Sequence, residues 1–258
     1  MRILAVGDIV GRTGLKTLKE VLPKVVKENN IDFIIVNGEN AADGMGITEK
    51  MYKDILSLGV NVVTMGNHTW GKKEIFNFID DKQIIRPANY PSNNPGKGFD
   101  IYDCKGKNIA VINLIGRTTM SVLSENPFLI VNEIIDEIKM AVDIIIVDFH
   151  AEATAEKIAM GYYLDGKATV VYGTHTHVQT ADETILENGT GYITDIGMTG
   201  PKRSVIGMDV EVSFKRFETS LPERYKLSPD PKGKFNSCMF EIDDKTNKVI
   251  KIERIRRE

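Results

Sequence analysis

The sequence predicts an α/β fold, a two-sheet αββα sandwich with helices on the outer faces. Strand-like apolar runs alternate with segments of helical spacing at the start of the chain, which indicates a mostly parallel sheet. A hairpin-like pair of runs around residue 105 suggests that a second sheet begins there. Because the sequence shows no repeat and no clear linker, we expect its 258 residues to form a single domain.

The first three predicted strands share one ending, a glycine followed by polar side chains. They cover residues 2–6, 31–36 and 60–65, and apolar residues recur at helical spacing over residues 15–26 between the first two. Parallel strands bring their carboxyl ends to one edge of the sheet, where α/β proteins place their ligands. The three junctions are Gly7-Asp8, Gly38-Glu39-Asn40 and Gly66-Asn67-His68.

The middle of the chain contains two more strands that lead to histidines. The predicted elements are a hairpin over residues 99–114, helices over 128–140 and 154–163, and strands over 142–148 and 168–172. The first of these strands leads to His150, and the second leads to His175 and His177. Asp148 precedes His150 by two residues, so both side chains lie on one side of the strand and the carboxylate could orient the imidazole.

The last third of the chain is predicted to be mainly β. Strand-like pieces cover residues 210–214, 238–242 and 249–255, and residues 215–236 are the expected long loop. The closing run from residue 248 carries five basic and two acidic residues. A contact with RNA is one interpretation of this run, and an exposed edge strand that uses charge to avoid pairing is the simpler one.

Composition excludes several classes of protein. The chain has 33 Lys and Arg against 36 Asp and Glu, a net charge of −3, so binding driven by a basic surface is excluded. With 42% hydrophobic residues, the sequence is too apolar for a disordered chain. No apolar run approaches the roughly 18 residues that span a bilayer, and the N-terminus lacks a signal-peptide pattern. We expect a cytoplasmic protein with no membrane partner, assembled as a homo-oligomer.

The candidate donors to a metal ion all follow predicted strands. Neutral imidazole together with carboxylate and amide oxygens suits borderline divalent metals such as zinc, manganese and iron. The set is too large for one tetrahedral ion, and two ions bridged by Glu39 account for it better. The candidates are Asp8, Glu39, Asn67, His68, His150, His175 and His177.

The order of these motifs resembles the calcineurin-like metallophosphoesterase superfamily over about two thirds of the chain. Within it, the sequence is similar to the YmdB-type bacterial group, which the resemblance associates with hydrolysis of 2′,3′-cyclic and other cyclic nucleotides. Three positions depart from the usual motifs. Val10 stands where a histidine is usual, Glu39 replaces an aspartate and is followed by Asn40, and Thr69 replaces an acidic residue after His68. Asn40 is therefore the candidate that completes the first metal site.

The resemblance implies two metal ions and one catalytic histidine. One ion would be held by Asp8, Glu39, Asn40 and His177, and the other by Glu39, Asn67, His150 and His175. His68 would contact a phosphate oxygen or protonate the leaving alkoxide as a general acid. Iron is the metal that the resemblance favours, whereas manganese and zinc fit the donors equally well.

The predicted reaction is hydrolysis of a cyclic phosphodiester. Two cations would offset the repulsion between the anionic diester and a hydroxide that bridges them. The resemblance implies that a 2′,3′-cyclic nucleotide is opened to a 3′-nucleotide, with 3′,5′-cAMP as a further candidate substrate. Two alternatives remain open: a metal-dependent phosphomonoesterase, and a catalytically weak, metal-bound protein that binds RNA or regulates a partner.

Overall fold

The computed structural model describes all 258 residues, which form fourteen strands and five α-helices. The helices are α1 (Gly11–Asn29), α2 (Glu49–Leu56), α3 (Pro127–Ile138), α4 (Thr154–Tyr163) and α5 (Val210–Thr219), with a 3₁₀ helix over Lys73–Asn77. The strands are β1 (Arg2–Val6), β2 (Asp8–Ile9), β3 (Phe33–Asn37), β4 (Val62–Thr64), β5 (Ile84–Ile85), β6 (Phe99–Cys104), β7 (Lys107–Ile115), β8 (Ile144–His150), β9 (Val170–Thr174), β10 (Thr184–Ile185), β11 (Gly191–Ile193), β12 (Met198–Pro201), β13 (Gly233–Ile242) and β14 (Val249–Arg257). None of the helices is long and apolar enough to cross a membrane.

The strands form two sheets. The first has eight strands in the order β2-β12-β13-β1-β3-β4-β5, with β14 also paired to β13, and the second has six in the order β10-β11-β9-β8-β7-β6. Strands β1, β3 and β4 are parallel in the first sheet, and β7, β8 and β9 are parallel in the second. The hairpin at Lys105-Gly106-Lys107 is confirmed, because β6 and β7 pair in antiparallel register and open the second sheet.

Apolar side chains fill the three spaces between the layers. Between the sheets, the ring of Phe33 in β3 lies 5.9 Å from that of Tyr102 in β6. Likewise, the ring of Tyr172 in β9 lies 6.3 Å from that of Phe240 in β13. Helices α1 and α2 cover the outer face of the first sheet, and α3 and α4 cover that of the second. The predicted αββα sandwich is therefore confirmed.

Local sequence explains the helix that follows the first two strands. Leu15, Leu18 and Leu22 recur every three or four residues and are buried against the first sheet. Asn30 ends α1 in the left-handed conformation with φ of 49°, which asparagine tolerates. The helix thereby returns the chain to the amino end of the sheet, so that β3 lies parallel to β1 and its carboxyl end faces the same edge.

The C-terminal third differs from the prediction in one element. Residues 210–214 begin α5 instead of forming a strand, and the Asp209 carboxylate accepts a hydrogen bond from the Val212 amide at 3.0 Å to cap the helix. Alternating valines suggested a strand, but Ser213 is the only buried residue of α5, so no buried alternating face exists there. Only residues 220–232 of the predicted loop over 215–236 lie outside helices and strands, because residues 215–219 complete α5 and residues 233–236 begin β13. The basic closing run forms the predicted edge strand, β14, which pairs with β13 alone.

Candidate active site

The predicted site residues come together where strands of both sheets end. The first sheet contributes Asp8 in β2, Glu39 and Asn40 after β3, and Asn67 and His68 after β4. The second sheet contributes His150 at the end of β8, and His175 and His177 after β9. Because the two sheets pack face to face with these ends at the same edge, side chains that are far apart in sequence meet in one cluster.

Three side chains converge on Nε2 of His150, which is fully buried. Asn67 Oδ1 lies 3.0 Å from this nitrogen, Glu39 Oε1 lies 3.1 Å away, and His175 Nδ1 lies 3.1 Å away. One imidazole nitrogen carries at most one proton, so it cannot donate to all three neighbours. Such packing of nitrogen and oxygen donors suits a shared divalent cation, and Glu39, His150 and His175 offer ligand atoms within 4.8 Å of one another.

The carboxylate of Asp8 lies beside this cluster without a hydrogen-bond partner. Both of its oxygens are buried and unpartnered, and Oδ2 lies 3.2 Å from Nε2 of His177. Nδ1 of His177 donates to the carbonyl oxygen of Ile206 at 2.8 Å, so a neutral ring keeps its lone pair on Nε2. A buried carboxylate next to an imidazole lone pair fits a bound cation, which would supply the missing positive partner.

Asn40 connects His68 to the rest of the cluster. Its Oδ1 lies 3.0 Å from Nδ1 of His68. Its Nδ2 lies 3.1 Å from Nε2 of His177 and 3.0 Å from Oε1 of Glu39. The buried Thr69 does not take this place, because its hydroxyl donates to a backbone carbonyl oxygen at 2.6 Å. The polar neighbours of the His68 Nδ1 atom are therefore Asn40 and, at 3.4 Å, Oε1 of Glu39, rather than residue 69.

Burial and charge set the protonation states of the cluster. Burial alone would raise the pKa of Glu39, but His150 and His68 beside it hold that pKa well below its usual range. Two causes lower the pKa of His175 to about 3: burial, which is the larger, and the positive charge of a protonated His150. Near pH 7, Glu39 is ionised and His175 is neutral, and these are the forms that bind a metal ion. Burial would lower the pKa of His150, but the Glu39 carboxylate raises it to about 9, so a metal ion has to displace the Nε2 proton of His150.

Asp148 is connected to His150 through Thr174, a residue that sequence analysis missed. Nδ1 of His150 lies 2.9 Å from the Thr174 hydroxyl, which donates to Oδ1 of Asp148 at 2.7 Å. The hydroxyl oxygen therefore accepts the Nδ1 proton, and a neutral His150 presents its Nε2 lone pair to the cluster. Thr64 of the first sheet donates to the other Asp148 oxygen at 2.6 Å, so this carboxylate also joins the two sheets.

A cleft of about 240 Å³ opens at the cluster. Glu39, His68 and His175 line it together with the apolar side chains of Ile206 and Met208, and no Lys or Arg contributes to the lining.

Glu152 also lines the cleft and was missed by sequence analysis. Its side chain is 53% exposed, and its Oε2 lies 3.1 Å from Nε2 of His175. It follows His150 by two residues, but an acidic residue after a strand is too common to be singled out from sequence alone.

The chain is similar in sequence and fold to known proteins. The chain is 52% identical over 256 residues to a Bacillus subtilis protein named 2′,3′-cyclic-nucleotide 2′-phosphodiesterase, with 99% of this chain and 96% of the relative aligned. A Mycoplasma pneumoniae protein whose crystal structure is described as a novel phosphatase superposes with a TM-score of 0.94 at 38% identity, covering 100% of this chain and 93% of that one.

A more distant structure shares the fold alone. It is a Staphylococcus aureus protein described as a putative 5′-nucleotidase, with a TM-score of 0.64 at 14% identity over 99% of this chain and 54% of that one. The family described as YmdB-like protein matches residues 4–255, which is nearly the whole chain. This extended match and the 52% identity with the Bacillus subtilis protein together show that the chain belongs to the YmdB-like family.

Proposed function

We propose that this chain is a metal-dependent phosphodiesterase that opens 2′,3′-cyclic nucleotides to 3′-nucleotides, with 3′,5′-cAMP as a further candidate substrate. The observation that carries the proposal is the convergence of three side chains on Nε2 of His150, beside the unpartnered carboxylate of Asp8. The printed name of the Bacillus subtilis relative supports the same class of substrate, since the two chains align over nearly their full lengths.

Two metal ions complete the proposed site. The ligands of one would be Asp8, Glu39, Asn40 and His177, and those of the other would be Glu39, Asn67, His150 and His175. Iron is our first choice, and manganese and zinc suit the same nitrogen and oxygen donors. When bound, the ions would supply positive charge to the phosphate oxygens and lower the pKa of a nucleophilic water. Because both sheets contribute ligands, we propose that residues 1–258 act as a single domain.

His68 is the proposed proton donor to the leaving alkoxide. Its side chain is 31% exposed at the cleft, whereas Glu39 beside it is fully buried. Nδ1 lies 3.0 Å from Oδ1 of Asn40 and donates its proton to that oxygen. The transferable proton of the imidazolium is then the one on Nε2.

The carboxylate of Glu152 disfavours a monoester relative to a diester. A phosphomonoester dianion carries more negative charge than a diester monoanion, so the exposed carboxylate of Glu152 repels it more strongly. The absence of Lys and Arg from the lining leaves no fixed side-chain cation to compensate. Monoester hydrolysis is nevertheless a second candidate activity, because the Mycoplasma pneumoniae structure is described as a phosphatase.

The test is turnover of 2′,3′-cAMP, 3′,5′-cAMP and p-nitrophenyl phosphate by one anaerobic preparation whose metal content is measured in the same sample. We expect two equivalents of metal and the highest kcat/KM for the 2′,3′-cyclic diester. A preference for p-nitrophenyl phosphate would replace the proposal by the monoesterase alternative. Bound metal with no turnover of any substrate would contradict both enzymatic functions and favour the binding-protein alternative.

A further inference from the structure

A buried ion pair lies directly behind the turn that carries His175 and His177. Nζ of Lys157 in α4 donates to Oδ2 of Asp195 at 2.7 Å, and both side chains are shielded from solvent. Neither residue lines the cleft, so neither touches a substrate there. We propose that Lys157 and Asp195 are positioning residues, which hold the His175-Thr176-His177 turn in the geometry that binds metal. This inference rests on the proposed function for the metal that His175 and His177 bind and for the consequence on turnover, but not for the conformation of the turn.

The turn adopts a backbone conformation that its residues would not choose by themselves. The backbone φ is 99° at His175 and 65° at His177, and both values lie in the left-handed region. Non-glycine residues in that region are strained by roughly 1–3 kcal/mol each and persist only where the surroundings hold them. The two histidines are therefore in place because neighbouring groups hold the turn.

Asp195 and Lys157 supply the holding contacts on both sides of His175. Oδ2 of Asp195 accepts hydrogen bonds from the Thr176 amide at 3.1 Å and from the Thr176 hydroxyl at 2.7 Å. Oδ1 accepts from the amide of Gly197 at 2.8 Å, so the carboxylate is fixed at both oxygens. Lys157 also donates to the carbonyl oxygen of Thr174 at 2.7 Å. The residues before and after His175 are thus tied to the same ion pair.

Stability alone does not account for this pair. Replacing a buried ion pair by apolar side chains of similar volume is often neutral or stabilising, because the charges lose their hydration on burial. Lys157 nevertheless occupies the apolar side of α4, in line with the buried Met160, Gly161 and Leu164. Its position is explained by the contacts it makes, which fix one conformation of the turn.

The test uses two ways of releasing the turn. Thr176→Val removes the hydroxyl that binds Asp195 but leaves the ion pair intact, and Thr176→Ser keeps that hydroxyl as the matched control. The second way is the double variant Lys157→Met with Asp195→Asn, which removes both charges together and leaves no unpaired charge in the interior. Folding of each variant is checked by far-UV circular dichroism and thermal unfolding.

Two readouts do not require turnover. In the metal-free protein, hydrogen exchange of a peptide covering residues 174–178 should become faster in Thr176→Val and in the double variant, and should stay unchanged in Thr176→Ser. Affinity for Mn²⁺, measured against a competing chelator, should fall about tenfold or more in the same two variants, as is typical when partners of metal ligands are removed.

A third readout uses turnover. With 2′,3′-cAMP at saturating metal, the decrease in kcat should be larger than the change in KM.

Unchanged exchange and unchanged Mn²⁺ affinity in both releasing variants would overturn the positioning role. If the double variant fails to fold, Thr176→Val alone decides, since it preserves the ion pair. If the unaltered protein hydrolyses no cyclic nucleotide but the exchange and affinity shifts occur, the positioning role stands and the proposed function fails.

Discussion

Gly66 makes room for the imidazole of His150. A β-carbon built on Gly66 would lie 2.5 Å from both Nε2 and Cδ2 of His150, and 2.4 Å from Oε2 of Glu39. Such distances are shorter than real β-carbons show, so the close approach of the backbone to the cluster requires glycine here. The hydroxyl of Tyr90 donates to the Gly66 carbonyl oxygen at 3.0 Å and helps to fix this turn.

Gly66→Ala should therefore impair the site more than the fold. The backbone of Gly66 does not have a positive φ, so the methyl group acts by displacing His150 and Glu39. Overpacking of this kind costs about 1–3 kcal/mol of folding stability. We expect metal content to fall well below that of the unaltered protein, as measured by elemental analysis. Gly59→Ala is the control, because it strains a backbone with φ of 84° but meets no atom within 4 Å. Full metal content in Gly66→Ala would contradict this prediction.

Thr174→Val should weaken metal binding by disconnecting His150 from Asp148. The substitution keeps the shape of the side chain but removes the hydroxyl that contacts both residues. We expect metal affinity to fall by about tenfold or more, measured against a competing chelator. Thermal unfolding should also show a loss of about 1–3 kcal/mol, because a buried carboxylate oxygen loses its donor. Thr184→Val, at an exposed position in β10, is the matched control. Equal metal affinity in Thr174→Val and the control would rule out this connection.

His68→Ala should keep the metal and lose most of the turnover. The proposed general acid contributes about 10²–10⁴-fold to the rate when the leaving group is a poor one. Turnover of 2′,3′-cAMP should fall within that range, whereas bis(p-nitrophenyl) phosphate should lose much less, because nitrophenolate leaves without protonation. Glu39→Ala is the comparison variant, and we expect it to lose both metal and turnover. An equal loss on both substrates in His68→Ala would show that His68 is not the proton donor.

Glu152→Gln should relax the preference for diesters. The amide keeps a hydrogen-bond acceptor for Nε2 of His175, which lies 3.1 Å from the carboxylate, and removes the charge at the cleft. Because Glu152 is half-exposed, we expect only about a two- to fivefold rise in kcat/KM for p-nitrophenyl phosphate relative to the bis ester. The difference from the unaltered protein should shrink at 1 M salt, where exposed charges are screened over roughly 3 Å. A ratio that does not change at low salt would argue against charge as the basis of the preference.

The positions of the site residues were predictable because the sequence marks the ends of its strands. Buried strands followed by glycine and a polar residue recur at Asp8, Glu39 and Asn67, and the structure brings all three to one edge. The alternation of strands with helical segments was equally informative, since it specified the parallel order and hence the edge at which the polar residues meet. Chain order therefore predicted the shared edge of the first sheet, whereas the division of the ligands between two ions rested on the family resemblance.

The contacts between side chains could not be predicted in the same way. Thr174 lay just beyond the predicted strand over residues 168–172 and carried no signal of its own, because its role depends on its contacts with Asp148 and His150. Lys157 did leave a signal, a charge at a position that shares helical spacing with Met160. The helix over residues 210–219 was missed because Val210, Val212 and Phe214 alternate with polar residues, which is the pattern of a strand.

Both halves of the sandwich contribute ligand side chains to the cluster, so metal binding and unfolding are linked. The carboxylates of Asp8 and Glu39 come from the first sheet, while the imidazoles of His150 and His175 come from the second. An ion shared between them would have to dissociate before either half could separate from the other. Bound metal would therefore make the two halves melt in one cooperative transition, and the midpoint of that transition would rise with the concentration of free metal.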